Sequence, residues 1–334
     1  MGRKTLRKLA LFSLAALLVL GLSLSSGWAA QNPKFIKIAA SSMGGTWFPL
    51  CAATAEVLNR NVKGTTFTAT LGGGISNLKN IESGKLVMGI GTGSSSYQAS
   101  KGLSPFGKPA KKLRMIGIYY AYPYNLVVRA DSGIKTIADL KTKSLGVGKK
   151  GWSTEEACRN ILATVGLDYQ KIKAAGGSVT YAGFAQMNSM FKDKKLEMIV
   201  DPNNPPSPGI IELTTVTPIH LLALGPKAIA ALMKVNPGYT TVEIPGGTYK
   251  GQDKAVVNLA DPAAMVVSKD LSDDLVYAIT KAIFENAGEI AKVHSVLREF
   301  SLKNALKGAY LPLHPGAYRY YKEKGIQVPK NLMP

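Results

Sequence analysis

The feature that most constrains this chain is a unit that recurs six times, in which a short apolar run enters a loop of small or polar residues and a helical pattern follows. The first unit runs from Phe35 to Ala40, through Gly44-Gly45, into a helix that Thr46 opens, within the stretch Ser41 to Asn59. The second passes from Phe67–Leu71 through Gly72-Gly73-Gly74 to a helix around Ser76-Asn77-Leu78, and the third from Leu86–Ile90 through Gly91–Ser96 to a short helix through Tyr97. The fourth joins Ser144–Val147 to Gly148–Gly151, where Ser153 as N-cap and Glu156 three positions on predict a capping box before a helix ending near Gly166. The fifth leads from Val179–Tyr181 into a helix over 184–195, and the sixth from Met198–Val200 through the proline-rich loop Asp201–Gly209 into another helix. Strands alternating with helices in this way predict an α/β fold with mainly parallel sheets. Ligands of such folds bind beyond the carboxyl ends of the strands, so these loops should converge on one side.

The six loops fall into two groups, which predicts two lobes. The extended, β-rich segment Tyr119 to Arg129 separates them and reads as a crossover strand, and Ala255 to Val267 reads as a second. The expected division is a leader over 1–30, one lobe from 31–125 and 260–334, and another from 126–259. That makes a hinged, two-lobed α/β architecture with a cleft between the lobes.

The N-terminus carries Arg3, Lys4, Arg7 and Lys8, then an apolar run from Leu9 to about Leu24, then small residues that offer cleavage after Ala29 or Ala30. This is the pattern of an export signal, so the mature chain is expected to be periplasmic. Losing those four cations and no anions takes the formal charge from +20 to +16, which favours anionic partners. No run of like charges or aromatic-interleaved basic segment points to nucleic acid. Cys51 and Cys158 both fall in apolar helical patterns and are expected as buried free thiols.

Catalytic chemistry finds little support. His220, His294 and His314 are the only histidines, and none lies in a loop that follows a strand of the six units; His220 opens an apolar strand and His294 falls in a long helical pattern. No zinc, calcium or P-loop spacing occurs. The segment GVGKKG, with Gly146, Gly148 and Gly151, fits the dinucleotide fingerprint only loosely, because Asp168 is the one acid near the required distance and lies past the helix end. No cofactor is expected.

Binding chemistry is better represented. Gly45 and Gly74 let a ligand approach the backbone, and helix N-termini at Thr46 and Ser153 offer N–H groups that nothing inside a helix satisfies. Thr46, Ser76, Asn77, Thr92, Ser94, Ser153 and Thr154 can orient a small polar ligand, Trp47, Tyr120 and Trp152 can cover its carbon skeleton, and Asp201 opens the loop on the second lobe. A basic group from Lys149, Lys150 or Arg129 is expected to complete a carboxylate site. Met187, Met190 and Phe191 share one helix face and read as core.

In combination and order, GGTWFPL (Gly44 to Leu50), GGGISNL (Gly72 to Leu78), SYQA (Ser96 to Ala99), NLVVRADSGIKTIADLK (Asn125 to Lys141), the loop and helix from Gly148 to Gly166, GTYKGQD (Gly247 to Asp253) and DLSDDLVYAITKAIFEN (Asp270 to Asn286) resemble the TAXI family of solute receptors for TRAP transporters. The resemblance implies an exported, non-catalytic, two-lobed receptor of the periplasmic binding protein type, taken as a monomer, that delivers a small organic acid such as glutamate or 2-oxoglutarate to a membrane permease driven by an ion gradient. Thr92 and Ser94 stand where the family tends to place Gln and an acidic residue, which shifts the expectation from an amino acid towards a dicarboxylate or keto acid. The proline-rich loop is a second departure. The competing readings are a receptor of an ATP-driven importer or a sensor, and a secreted hydrolase using Ser94 or Cys158.

Overall fold

The structure is a computed structural model that describes residues 32–43 and 45–334. The expected leader and Gly44 lie outside the described residues.

In chain order the principal elements are β1 (Phe35–Ala39), α1 (Trp47–Asn61), β2 (Thr66–Thr70), α2 (Gly74–Glu82), β3 (Met88–Thr92), α3 (Gly93–Lys101), β4 (Leu113–Pro123) and β5 (Asn125–Arg129). Then come β6 (Ser144–Gly146), α4 (Ser153–Ala163), α5 (Tyr169–Ala174), β7 (Ser178–Thr180), α6 (Phe184–Lys192), β8 (Met198–Asp201), α7 (Pro208–Val216) and β9 (Ile219–Leu221). The chain finishes with α8 (Pro226–Val235), β10 (Thr240–Ile244), β11 (Val256–Ser268), α9 (Asp273–Glu285), α10 (Ala287–Ile290) and α11 (Pro315–Glu323).

Two sheets organise them. The first has the order β10-β11-β3-β1-β2 with β4 also paired to β11, and the second has the order β7-β6-β8-β5-β9. The periodicities that predicted the strands are visible in their burial. In β1, Ile36 and Ile38 enter the core while Phe35 and Lys37 face out, whereas β3 is buried at every position because it lies inside the sheet. Helix α1 lays Leu50, Cys51, Thr54, Ala55 and Leu58 inwards at helical spacing, and each fully buried Leu contributes about 1.5–3 kcal/mol. Helix α3 stops at Gly102, whose φ of 67° is the left-handed geometry that glycine adopts without penalty.

Both sheets are mixed, where mainly parallel sheets were expected. In the first, β1 pairs parallel with β2 and β3, but β11 runs antiparallel to β3, β4 and β10. In the second, β6 pairs parallel with β7 and β8 while β5 is antiparallel to β8 and β9. Helical crossovers produce the parallel pairs, and the strands that enter and leave each sheet supply the antiparallel ones.

The chain passes between the sheets twice. The first passage is as short as it can be, with only Tyr124 between β4 and β5, and it lies inside the expected crossover. The second lies at 222–239, through α8, and not at Ala255–Val267. That later stretch is β11, which stays in the first sheet for its whole length, and β10 pairs with it, so residues from 240 onward join the first sheet. A long apolar run reads the same way whether it bridges two lobes or forms an interior strand.

Candidate functional site

A narrow cleft lies between the two sheets. The first lobe contributes Ser41, Gly45, Thr46, Trp47, Gly73 and Gly74, strand β4 contributes Tyr120 and Tyr122, and the second lobe contributes Trp152, Ser153, Thr154, Phe184, Pro202 and Asn203. Aromatic rings form the walls. Trp47 meets Tyr122 edge-on at 5.6 Å between centroids, Tyr120 meets Tyr122 at 6.3 Å, and Trp152 meets Phe184 at 5.0 Å. No lining residue is charged.

The polar character of the cleft comes from helix ends. Helices α1, α2 and α4 start at Trp47, Gly74 and Ser153, all on the cleft wall, and no side chain caps any of the three. Apart from the Ser76 N–H, which Gly151 O takes, their first-turn N–H groups and their dipoles therefore favour negative charge there. The expected capping box in α4 does not form: Trp152 is the N-cap, Ser153 is already helical, and the Glu156 carboxylate instead accepts from Gln98 Nε2 at 3.0 Å across the lobes. Burial holds the Glu156 carboxyl up to about 7. The Ser41 and Thr154 side chains are buried on the cleft wall.

The lobes are in close contact around this space. Ser76 N–H donates to Gly151 O at 3.1 Å, and a Cβ on Gly73 would lie 2.2 Å from Trp152 Cδ1. Gly45 and Gly74 likewise lie against Phe184 and Ser153. These glycines permit close approach of one lobe to the other.

Of the residues predicted from sequence, Gly45, Thr46, Trp47, Gly74, Tyr120, Trp152, Ser153 and Thr154 line the cleft. Ser76 and Asn77 stand behind it: Ser76 Oγ donates to Gly73 O, and the buried Asn77 amide donates to Ala39, Ala40 and Ile90 carbonyls while accepting from Gly73 N–H. Thr92 caps α3 through the Ser95 N–H, and Ser94 turns to a buried carboxylate. Asp201 accepts from Asn203 N–H and Ser207 Oγ, so it shapes the loop that brings Pro202 and Asn203 to the cleft; burial pushes its carboxyl up to about 6.

None of the three expected cations is on the cleft wall. Arg129 ends β5, four residues and about 13 Å along the strand from Asn125, where it pairs with Asp131 at 2.6 Å. Lys149 and Lys150 sit above the Trp152 and Tyr181 rings at 5.8 and 5.0 Å. Sequence reasoning in turn missed Ser41, Gly73, Tyr122, Phe184, Pro202 and Asn203. Tyr122 carried a signal, since it alternates with Tyr120 on one strand and shares its face, and Ser41, Gly73, Pro202 and Asn203 lie in loops that the sequence marked after its strands.

Behind the cleft, Asp261 of β11 is fully buried and accepts from Ser94 N–H at 2.9 Å, from Ser94 Oγ, and from Tyr124 OH at 2.8 Å. Burial, opposed by these donors, raises its carboxyl to about 7.

The hydrolase candidates are poorly placed for chemistry. Ser94 is 1% exposed and bonded to Asp261 without a histidine, and burial pushes the Cys158 thiol up to about 12. Cys51 and Cys158 are both free and buried. His220 and His314 bond to backbone carbonyls, and His294 accepts from Val296 N–H at the start of a short 3-10 turn, outside the long helix expected for it. Among the described residues no group of His, Cys, Asp and Glu could hold a metal ion, and no helix is long and apolar enough to cross a membrane.

The NMT1-like family matches residues 38–325. Among solved structures, the alkanesulfonate-binding protein SsuA from Xanthomonas axonopodis pv. citri, bound to MOPS, is 16% identical, with 87% of this chain and 84% of that chain covered at a TM-score of 0.45. The amino acid ABC transporter substrate-binding protein AbpA from Streptococcus pneumoniae, bound to L-arginine, is 15% identical, with 79% and 95% covered at 0.47.

Proposed function

The chain belongs to the NMT1-like family, and we propose that it is an exported solute receptor that captures a small organic anion in the interlobe cleft and hands it to a membrane permease. The observation that carries this reading is the meeting of three uncapped helix N-termini on one aromatic-walled space. Backbone dipoles, not a salt bridge, hold the anion, and the rings cover its carbon skeleton. A carboxylate is the class best matched to N–H donors spread over three helix ends, with a dicarboxylate, keto acid or acidic amino acid as the candidates. The protein performs no chemistry on its ligand.

The motif order from GGTWFPL to DLSDDLVYAITKAIFEN supports a TAXI-type receptor that works with a TRAP permease. The basic balance of the chain raises the local concentration of anions at the cleft mouth without selecting among them.

Calorimetry of the mature protein against dicarboxylates, keto acids, amino acids, sulfonates and neutral sugars tests the ligand class, with a carboxylate expected to bind. Tight binding of a neutral sugar and none of the acids overturns it. Uptake into vesicles holding the permease, driven by a sodium gradient in the absence of ATP, tests the transporter type; uptake that requires ATP refutes the TRAP assignment.

A further inference from the structure

We propose that Asp261 sets the hydrogen-bond polarity of the cleft: acting through Tyr124 and Tyr122, it makes Ser153 an acceptor and so selects small carboxylates that also carry a hydrogen-bond donor. The proposal rests on the anion-receptor reading of the cleft and deepens it by naming which acids fit.

Tyr124 has one hydroxyl proton and gives it to Asp261 Oδ2 at 2.8 Å. The next contact, Tyr122 OH to Tyr124 OH at 3.4 Å, can then be made only by Tyr122 donating. With that proton used, the contact between Tyr122 OH and Ser153 Oγ at 3.2 Å requires Ser153 to donate. Ser153 lines the cleft, and what it has left to offer a ligand is lone pairs. A ligand hydroxyl, ammonium or amide N–H satisfies it there, while the ligand carboxylate turns to the helix N-termini. A carbonyl oxygen at the same place meets another acceptor. Ser94 Oγ donates to the same Oδ2, and Thr92 Oγ1 lies 3.1 Å from Ser94 Oγ. The hydroxyl protons on both sides run inwards to one buried group.

Protonating Asp261 undoes this order. Its Oδ1 is already engaged by the Ser94 N–H, so the added proton belongs on Oδ2, which two hydroxyls address. One of them must turn away. Ser94 can turn towards Thr92 Oγ1 or Tyr239, and Tyr124 can turn towards Tyr122; only the second turn reaches the cleft. Tyr124 then donates to Tyr122, Tyr122 to Ser153, and Ser153 into the cleft. The groups that bear on Asp261 are Thr92 of β3, Ser94 of α3, Tyr122 of β4, Tyr124 at the crossing and Tyr239 before β10; none is a cation. Its titration near pH 7 puts the reversal within reach of solution work. Glu156, which acts on Tyr239, titrates in the same range and serves as the control.

Two measurements test the proposal. Calorimetry with 2-hydroxyglutarate and 2-oxoglutarate compares acids that differ only in a hydroxyl against a carbonyl. At pH 8.5 the hydroxy acid should bind about tenfold tighter or more, as expected when one partner leaves a buried acceptor unmatched. The ratio should fall towards one at pH 5.5, in Asp261→Asn and in Tyr124→Phe, and Glu156→Gln should keep its pH dependence. Independently of any ligand, NMR of protein labelled at the tyrosine ζ-carbons should show Tyr122 and Tyr124 moving together with a midpoint near 7, and Asp261→Asn should abolish the movement. Tyrosine signals that stay fixed between pH 5.5 and 8.5, or an unchanged ratio in Tyr124→Phe, overturn the proposal. If the tyrosines move but neither acid binds, the relay stands and the carboxylate reading of the cleft falls.

Discussion

Gly73→Ala isolates the contact between the lobes from the stability of each lobe. Gly73 has φ of −179°, extended backbone that alanine adopts freely, so the substitution adds one methyl group and little else. That methyl would sit 2.2 Å from Trp152 Cδ1 and 2.6 Å from its Nε1, where carbon atoms in contact prefer about 3.5–4.0 Å. The indole must therefore retreat by roughly 1.5 Å. It has no easy direction to go, since Trp152 is 7% exposed, packs against the Phe184 ring at 5.0 Å and is the N-cap of α4. Overpacking of this kind costs about 1–3 kcal/mol. The whole cost falls on the form in which the lobes touch, because Gly73 and Trp152 belong to different sheets. Ligand affinity should drop about 5- to 150-fold while the melting temperature of the ligand-free protein stays put. Calorimetry with the acid identified in the panel reads the first quantity and scanning calorimetry the second. Small-angle scattering should show the variant failing to contract at a ligand concentration that contracts the parent. Unaltered affinity in a folded Gly73→Ala protein would refute the view that this contact forms when ligand is held.

Asn77→Ala should cost about 2–4 kcal/mol in urea unfolding, because it strips the Ala39, Ala40 and Ile90 carbonyls of a buried donor at once; a loss under about 1 kcal/mol would show that water replaces the amide. Lys149→Met and Lys150→Met should change equilibrium affinity less than about threefold at physiological salt while slowing association at low salt, and a hundredfold loss of affinity would return the lysines to the site. Asp201, Glu156 and Asp261 are raised to about 6, 7 and 7, so between pH 4 and 7 the folded chain holds protons that the unfolded chain has released. Stability should fall as pH rises through that window and level off above it, with a urea midpoint higher at pH 5 than at pH 8 and a shallower fall in Asp261→Asn; a midpoint that rises over this range contradicts the assignment.

Local units and the chemistry at their ends are legible in the order of residues alone. Apolar spacing marks β1, α1, β2 and α4 because a strand or helix buries one face at a fixed period, and glycine and hydroxyl residues mark where the chain turns into a helix. That was enough to place Gly45, Thr46, Trp47, Gly74, Trp152, Ser153 and Thr154 at helix starts, and all of them line the cleft. It was not enough to say which charges reach that space. Lys149 and Lys150 are in the right loop, yet a long flexible side chain can settle on a ring outside the cleft as readily as point into it. The capping box in α4 failed for a related reason, since Glu156 found a partner, Gln98, on the other lobe. Asp261 shows the division most clearly. Nothing near it in sequence predicts contact with Ser94, because that contact depends on β11 pairing between β3 and β4, and strand pairing is decided by the packing of the whole sheet. Local periodicity encodes the elements, and only the tertiary arrangement decides which distant side chains share a low-dielectric interior where a carboxylate without a cation must live on hydroxyl and amide donors.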